Sequence, residues 1–177
     1  PGQGITTVDG PGNLTYSRRN GTSFSAPAAS GALLLVRQYL KQGWYPFGRP
    51  DPGRSIRPSA ALMRCLAIAG CDPDVGTEPV PNHAAGWGRL NLSRLLHFPD
   101  DSVFITFVDD TFGLATGQYW EYRFRLSERR PLTVVLAWTD TAAAPNANPT
   151  LVNDLNLEVV APSGTYYRGN IYSCLLY

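Results

Sequence analysis

The residues best suited to chemistry stand in one short stretch, 20–31, which reads Asn-Gly-Thr-Ser-Phe-Ser-Ala-Pro-Ala-Ala-Ser-Gly. Gly21 permits backbone conformations that a side chain would forbid, and an apolar helical pattern follows. Ser23 is therefore expected at or near a helix N-terminus, among unpaired backbone N–H groups and the positive end of the helix dipole. An oxyanion forming on a carbonyl attached to Ser23 would be stabilised there, so the stretch favours a serine nucleophile that still needs a base.

A simpler interpretation of the same stretch is a helix cap. A serine or threonine before a helix commonly accepts a hydrogen bond from a first-turn N–H, and Thr22 or Ser23 could do only that. The two histidines, His83 and His97, stand in a Pro/Asn loop and beside a predicted linker. We expect each to be a surface or hydrogen-bonded histidine, so neither is predicted to be the missing base.

The helix that would position Ser23 follows from the spacing of apolar residues. Leu33, Val36 and Leu40 lie three and four residues apart, which predicts one helix face. Pro27 is tolerated near a helix start, and Gly43 is a suitable stop. Most residues between these positions are apolar as well, so we expect this helix to be buried on most sides.

A second helix is predicted to begin at Ser59 and to end at Gly70. Its apolar stripe consists of Leu62, Leu66 and Ala69. Residues 98–101, Phe-Pro-Asp-Asp, are the predicted linker to a region of different character.

From about residue 102 the apolar residues recur at every second position, the period of half-buried antiparallel strands. The stretch 161–164, Ala-Pro-Ser-Gly, suits a type I turn that joins the last two strands. Several short strands at this spacing predict a β-sandwich. The alternating residues are Trp120, Tyr122, Phe124 and Leu126, then Leu132, Val134, Leu136 and Trp138, then Leu155, Leu157 and Val159.

Length and composition exclude several classes of protein. The 177 residues suffice for one domain or two small ones. With 15 basic and 14 acidic residues and a net charge of +1, nothing suggests a nucleic-acid partner or an anionic membrane. No apolar run is long enough to span a bilayer. Three cysteines, Cys65, Cys71 and Cys174, are too few for a disulfide framework. The odd cysteine is either a buried thiol or one without its partner.

The stretch around Ser23 resembles the nucleophile motif of the subtilisin-like serine proteases, the subtilases: Gly-Thr-Ser-x-(Ser/Ala)-x-Pro, then small residues and a glycine. The matching positions are Gly21, Thr22, Ser23, Ser25, Pro27 and Gly31. Other stretches resemble the same family: Pro1-Gly2, residues 57–70 and the Gly-Trp-Gly-Arg turn at 86–89. The stretches 138–140, Trp-Thr-Asp, 151–157 and 162–164, Pro-Ser-Gly, resemble the C-terminal β-sandwich of one branch of alkaline subtilases.

The resemblance implies an α/β fold. Residues 1–98 would be the C-terminal part of a subtilisin-like parallel-sheet domain. Residues 102–177 would be an antiparallel, jelly-roll-like β-sandwich, truncated at its C-terminal end. The chain starts at a proline in a turn and stops within an apolar stretch, so we expect a fragment of a longer protein.

The resemblance also implies a serine endopeptidase that acts on polypeptides through an acyl-enzyme on Ser23, with Gly21, Thr22 and Pro27 supporting the motif. The family's Asp, His and oxyanion Asn lie upstream, so the chain alone is expected to be inactive. No cofactor is required for this chemistry, and an extracellular or secretory location is expected. Two alternatives stay open: a pseudoprotease that lacks the upstream Asp or His, and a β-sandwich interaction module without catalysis.

A structural calcium site is a further hypothesis for the second region. Asp140, Asn153 and Asp154 are oxygen donors in predicted strand-end loops, and calcium prefers oxygen ligands. The same residue types are equally suited to building turns.

Overall fold

The longest element is the 20-residue helix α1, Thr22–Lys41. The structure, a computed structural model, describes residues 2–10, 12, 15–76, 79–101, 104–128 and 130–169. Pro27 is the sixth residue of α1, so the helix begins earlier than proline's preference for first turns suggests. The end agrees with the prediction: Lys41 lies in the last turn, and Gly43 follows with a positive φ of 72°.

A short hairpin leads into α1. Strand β1, Ile5–Val8, pairs antiparallel with strand β2, Tyr16–Arg19. At the loop end of the hairpin, directly after β1, the carboxylate of Asp9 accepts hydrogen bonds from the Ser17 hydroxyl at 2.6 Å and from Arg19 at 2.7 Å. These two donors, Ser17 foremost, hold the pKa of Asp9 below its usual value.

The second helix, α2, spans Ala60–Ala69 and has the ends that the sequence predicts. The Ser59 hydroxyl caps it by accepting the N–H of Leu62 at 3.0 Å, and Gly70 ends it. The same hydroxyl donates to the carboxylate of Asp109 at 2.5 Å, which also accepts the Ser59 N–H at 2.8 Å. The start of α2 is therefore tied to a segment 50 residues further along the chain.

One small core joins the two helices, and it lies at the C-terminal half of α1. Leu34 and Leu35, which directly precede Val36 on the same helix, are 63% and 51% exposed. The expectation that α1 is buried on most sides is therefore wrong, since the core covers only one side of its C-terminal half. The buried residues are Val36, Tyr39, Leu40, Leu62, Leu66 and Leu95.

Two more small antiparallel sheets complete the described secondary structure. Strand β3, Cys71–Asp72, follows α2 in the chain and pairs with strand β4, Arg89–Leu90. Strands β5, Glu158–Val160, and β6, Tyr166–Arg168, form a hairpin. Its turn is the predicted one, closed by Gly164 N–H donating to the Ala161 carbonyl at 2.9 Å. Single turns of 3-10 helix lie at Pro52–Arg54 and Leu92–Arg94.

The predicted fold class is wrong for the described residues. They form two α-helices and three two-stranded antiparallel sheets, with neither a parallel sheet nor a β-sandwich among them. Across the same part of the chain, no helix is both long and apolar enough to cross a membrane.

The reason for the error is that a period of two reports which side chains would share a face, but not which backbone pairs with the strand. Residues 120–126 alternate as predicted, yet they lie in no strand. Trp120, Tyr122 and Phe124 are 58%, 56% and 56% exposed. Without a neighbouring strand to pair with, a segment with this alternation forms no sheet, and its apolar side chains stay exposed.

Replacing Ser59 tests the junction at the start of α2. Ser59→Ala removes the helix cap and one bond to Asp109, so we expect the free energy of unfolding to fall by about 1–2 kcal/mol. Denaturant unfolding measures this. Ser55→Ala, at an exposed serine four residues earlier, is the matched control and should leave stability unchanged. Equal stability of the two variants would contradict the capping role.

Candidate active site

Ser23 is the second residue of α1, and it is exposed to solvent. The residue that caps the helix is Gly21, with φ 145° and ψ 149°, and no side chain makes a capping hydrogen bond. The interpretation of Thr22 or Ser23 as an N-cap is therefore wrong. The Ser23 hydroxyl is left free for other use, because none of the described residues makes a hydrogen bond to it.

The electrostatic surroundings of Ser23 favour negative charge. Its backbone N–H is one of the unpaired donors at the helix start, with no acceptor in the described part of the chain. No acidic residue lies in the first turn of α1, so no carboxylate there opposes the positive end of the dipole. Because proline has no N–H, Pro27 cannot bond the Ser23 carbonyl in the usual helical way.

The turn from β2 into α1, residues 20–23, is called the serine turn. It is held from outside by the loop before β1. Gly21 N–H donates to the Gly2 carbonyl at 2.6 Å, and Gly4 N–H donates to Asn20 Oδ1 at 2.7 Å. The approach at Gly2 is so close that a Cβ there would lie 2.1 Å from the Gly21 oxygen. Main chain thus packs directly on main chain, which only glycine allows.

The structure places the predicted motif residues on this turn and the start of the helix. Gly21, Thr22 and Ser23 are consecutive, and Pro27 follows one turn later on α1. Phe24 lies half-buried with its ring beside Gly21. The contact of Asn20 with Gly4 was missed by sequence reasoning, because the partners are 16 residues apart and no spacing rule joins them.

Neither His83 nor His97 contacts Ser23 in the described part of the chain. His97 lies half-buried with its carbonyl accepting the Tyr39 hydroxyl at 2.6 Å and its ring 4.8 Å from that of Phe104. Tyr39 lies 16 residues beyond Ser23 on α1, about 24 Å away at ~1.5 Å per residue. His83 is exposed, as predicted. The expectation of a hydrogen-bonded ring fails for His97, because its buried Nδ1 has no partner among the described residues.

The cysteines offer no competing nucleophile in the described region. Cys65 and Cys71 are free and half-buried. Burial raises the pKa of both thiols, which favours the protonated form over the nucleophilic thiolate. Cys174 lies outside the described residues.

The residues of the calcium hypothesis are only partly brought together. The carboxylate of Asp140 accepts the N–H groups of Val152, Thr141 and Asn153 at 2.8, 2.9 and 3.1 Å, and the Asn153 side-chain amide at 2.7 Å. Asp154 makes no such contact in the part of the chain that is described. A cation would have to displace these donors, so the arrangement favours turn building, and calcium binding stays a prediction.

Comparison with known proteins shows a distant similarity. No family model and no solved structure matches the chain. It is 28% identical over 146 residues to the Serine protease/ABC transporter B family protein tagA of Dictyostelium discoideum, covering 80% of this chain and 8% of tagA. The chain is thus distantly similar to proteins whose names include a serine protease. The tagD protein of the same organism is 26% identical over 202 residues, with 87% of this chain and 11% of tagD covered. The chain therefore spans about a tenth of the length of these relatives.

Gly2→Ala tests the main-chain packing of the serine turn. The added Cβ would overlap the Gly21 carbonyl, so the two segments must separate and the Gly21–Gly2 hydrogen bond must weaken. We expect the Gly21 amide to exchange with solvent at least 10-fold faster, as measured by hydrogen exchange. Gln3→Ala, at the exposed neighbouring position, should leave that rate unchanged. An unaltered rate in Gly2→Ala would contradict the close approach.

Asp140→Ala tests the turn built on that carboxylate. Its hydrogen bonds, the one from Val152 N–H foremost, hold the pKa of Asp140 below its usual value. A lowered folded-state pKa means that the contribution to stability is present above about pH 4 and is lost as pH falls through the lowered value.

We expect the Val152 and Asn153 amides to lose protection from exchange in Asp140→Ala at neutral pH. Asp154→Ala is the control and should keep that protection. In the unsubstituted protein, the same protection should disappear only on acidification below about pH 4. Protection that survives in Asp140→Ala would show that another group holds the turn.

Proposed function

We propose that this chain carries the nucleophile of a subtilisin-like serine endopeptidase, and that Ser23 forms the acyl-enzyme. The observation that carries the proposal is the position of Ser23: exposed, second in a 20-residue helix, and not used as a cap. Gly21 supports that position as the N-cap, and Thr22 as the first helical residue. Pro27 leaves the Ser23 carbonyl without its usual helical donor.

The chemistry proposed for Ser23 is acyl transfer. Its Oγ attacks the carbonyl carbon of a peptide bond while a base takes the hydroxyl proton. The carbonyl oxygen becomes an oxyanion beside the Ser23 N–H and the positive end of α1. The base returns its proton to the departing amine, leaving an ester on Ser23. Water then hydrolyses the ester and regenerates the serine.

The partner groups are proposed to come from another part of the protein. No histidine of the described residues is shown at Ser23, so we assign the base, its aspartate and an oxyanion asparagine to a region upstream of this chain. The chemistry requires no cofactor, and we propose an extracellular or secretory location. The distant similarity to the Dictyostelium proteins, whose names include a serine protease, supports polypeptide substrates.

Covalent labelling tests the proposal. The full-length protein that contains this chain is treated with a fluorophosphonate probe, which acylating serines attack. We expect one equivalent of label, complete loss of label in Ser23→Ala, and normal labelling in Ser30→Ala. Ser30 is the matched control because it is an exposed serine on the same helix. Label that persists in Ser23→Ala would contradict the assignment, and an unlabelled but folded protein would favour a pseudoprotease.

The isolated chain provides a second test. Since its base is assigned elsewhere, we expect the 177-residue chain alone to hydrolyse no peptide substrate. A fluorogenic peptide assay with purified chain measures this, with Ser23→Ala as the background. Turnover that Ser23→Ala abolishes would show that the chain supplies its own base.

A further inference from the structure

The path of the chain between β2 and α1 is very short. Only Asn20 and Gly21 separate the end of the strand at Arg19 from the first helical residue. Gly21 takes a positive φ of 145°, in a region where glycine has little conformational preference of its own. The orientation of Ser23 relative to β2 must therefore be set by contacts with residues outside this turn.

Two hydrogen bonds supply those contacts, on consecutive residues of the turn. One is the main-chain bond from Gly21 N–H to the Gly2 carbonyl at 2.6 Å. The other is the bond from Gly4 N–H to Asn20 Oδ1 at 2.7 Å. A single bond would let the turn pivot, whereas two bonds, to Gly2 and to Gly4 of the same short loop, restrict its orientation. Of the two bonds, only the one to Asn20 involves a side chain, so only that bond can be removed by shortening a side chain of the turn.

We propose that Asn20 is a positioning residue for the acyl transfer at Ser23. Its amide oxygen, by holding the Gly4 N–H, sets the serine turn so that Oγ and the Ser23 N–H face the same reacting carbonyl. This inference rests on the proposed function. It adds that Asn20 acts through the turn and does not itself touch the substrate.

The contacts of Asn20 separate this role from a general role in stability. Asn20 is exposed, so shortening its side chain leaves no cavity in the core. The core lies at the other end of α1, beginning at Val36, about 20 Å from Ser23 at ~1.5 Å per residue. Loss of the Asn20 bond should therefore reach the reactivity of Ser23 well before it reaches global unfolding. Displacing a reacting group by about 1 Å can cost roughly 100-fold in rate.

The experiment compares rates of phosphonate labelling and of peptide hydrolysis in the full-length protein. We expect Asn20→Ala to label Ser23 about 10- to 100-fold more slowly, with kcat lowered, KM unchanged and the melting temperature close to that of the parent. Asn20→Asp keeps an acceptor oxygen. It should recover most of the rate at ~0.5 M salt, which screens the added charge.

Ser17→Ala is the control variant. Ser17 lies on the same strand as Arg19 but bonds Asp9 at the loop end of the hairpin, the end opposite the serine turn. Its loss should loosen the hairpin while leaving the labelling rate of Ser23 unchanged. Equal slowing in Ser17→Ala and Asn20→Ala would overturn the inference, because any damage to the hairpin would then suffice. Parent-like rates in Asn20→Ala, or no recovery in Asn20→Asp, would also overturn it.

Failure of the proposed function gives a different result. If the Ser23→Ala variant is labelled as fully as the parent protein, both the assignment of Ser23 and the positioning role of Asn20 fail. Failure confined to the Asn20 variants would leave Ser23 as the nucleophile and remove only the role given to Asn20.

Discussion

The packing of the last turns of α1 against α2 is the contact on which the rest of the structure depends. Val36, Tyr39 and Leu40 meet Leu62 and Leu66 there, and Leu95 closes the cluster. Burial of such side chains contributes roughly 1.5–3 kcal/mol each, which makes this cluster the main apolar stabilisation in the described residues. Everything at the other end of α1, including Ser23, is held by the rigidity of the helix and by hydrogen bonds.

The two ends of α1 are therefore held by different kinds of contact. The core fixes the axis of α1, and its apolar side chains need no particular chemistry beyond filling space. The serine turn fixes the first residues of the same helix through two hydrogen bonds and a close approach of two glycines. The second arrangement is local and directional, so it can orient a hydroxyl and a backbone N–H at little cost to the core.

Local sequence signals predicted local structure well. The spacing of Val36 and Leu40 identified the buried face of α1, and Ser59 and Gly70 marked the ends of α2. The turn at residues 161–164 also formed as predicted. Each of these depends on residues within a few positions of one another, where propensity and capping act directly.

Structure that depends on distant partners was not predicted. The hairpin of β1 and β2 escaped notice because its strands have four residues each, too short for a periodic pattern to stand out. The alternation at 120–126 led to the wrong fold, since a strand needs a neighbouring strand to pair with, and the alternation does not identify one. At the candidate site, the sequence predicted that Ser23 starts a helix, but the contacts of Gly2 and Asn20 form only where the loop folds back onto the turn.

The double use of the Ser59 hydroxyl joins the two halves of the chain. That hydroxyl accepts from the first turn of α2 and donates to Asp109, which lies beyond the predicted linker at 98–101. Expressing the first 98 residues as a separate piece would leave the start of α2 without its carboxylate. A cut at the predicted linker, which was placed by the change in apolar period, would thus separate residues that are hydrogen-bonded to each other. A piece that keeps both would have to extend past residue 109.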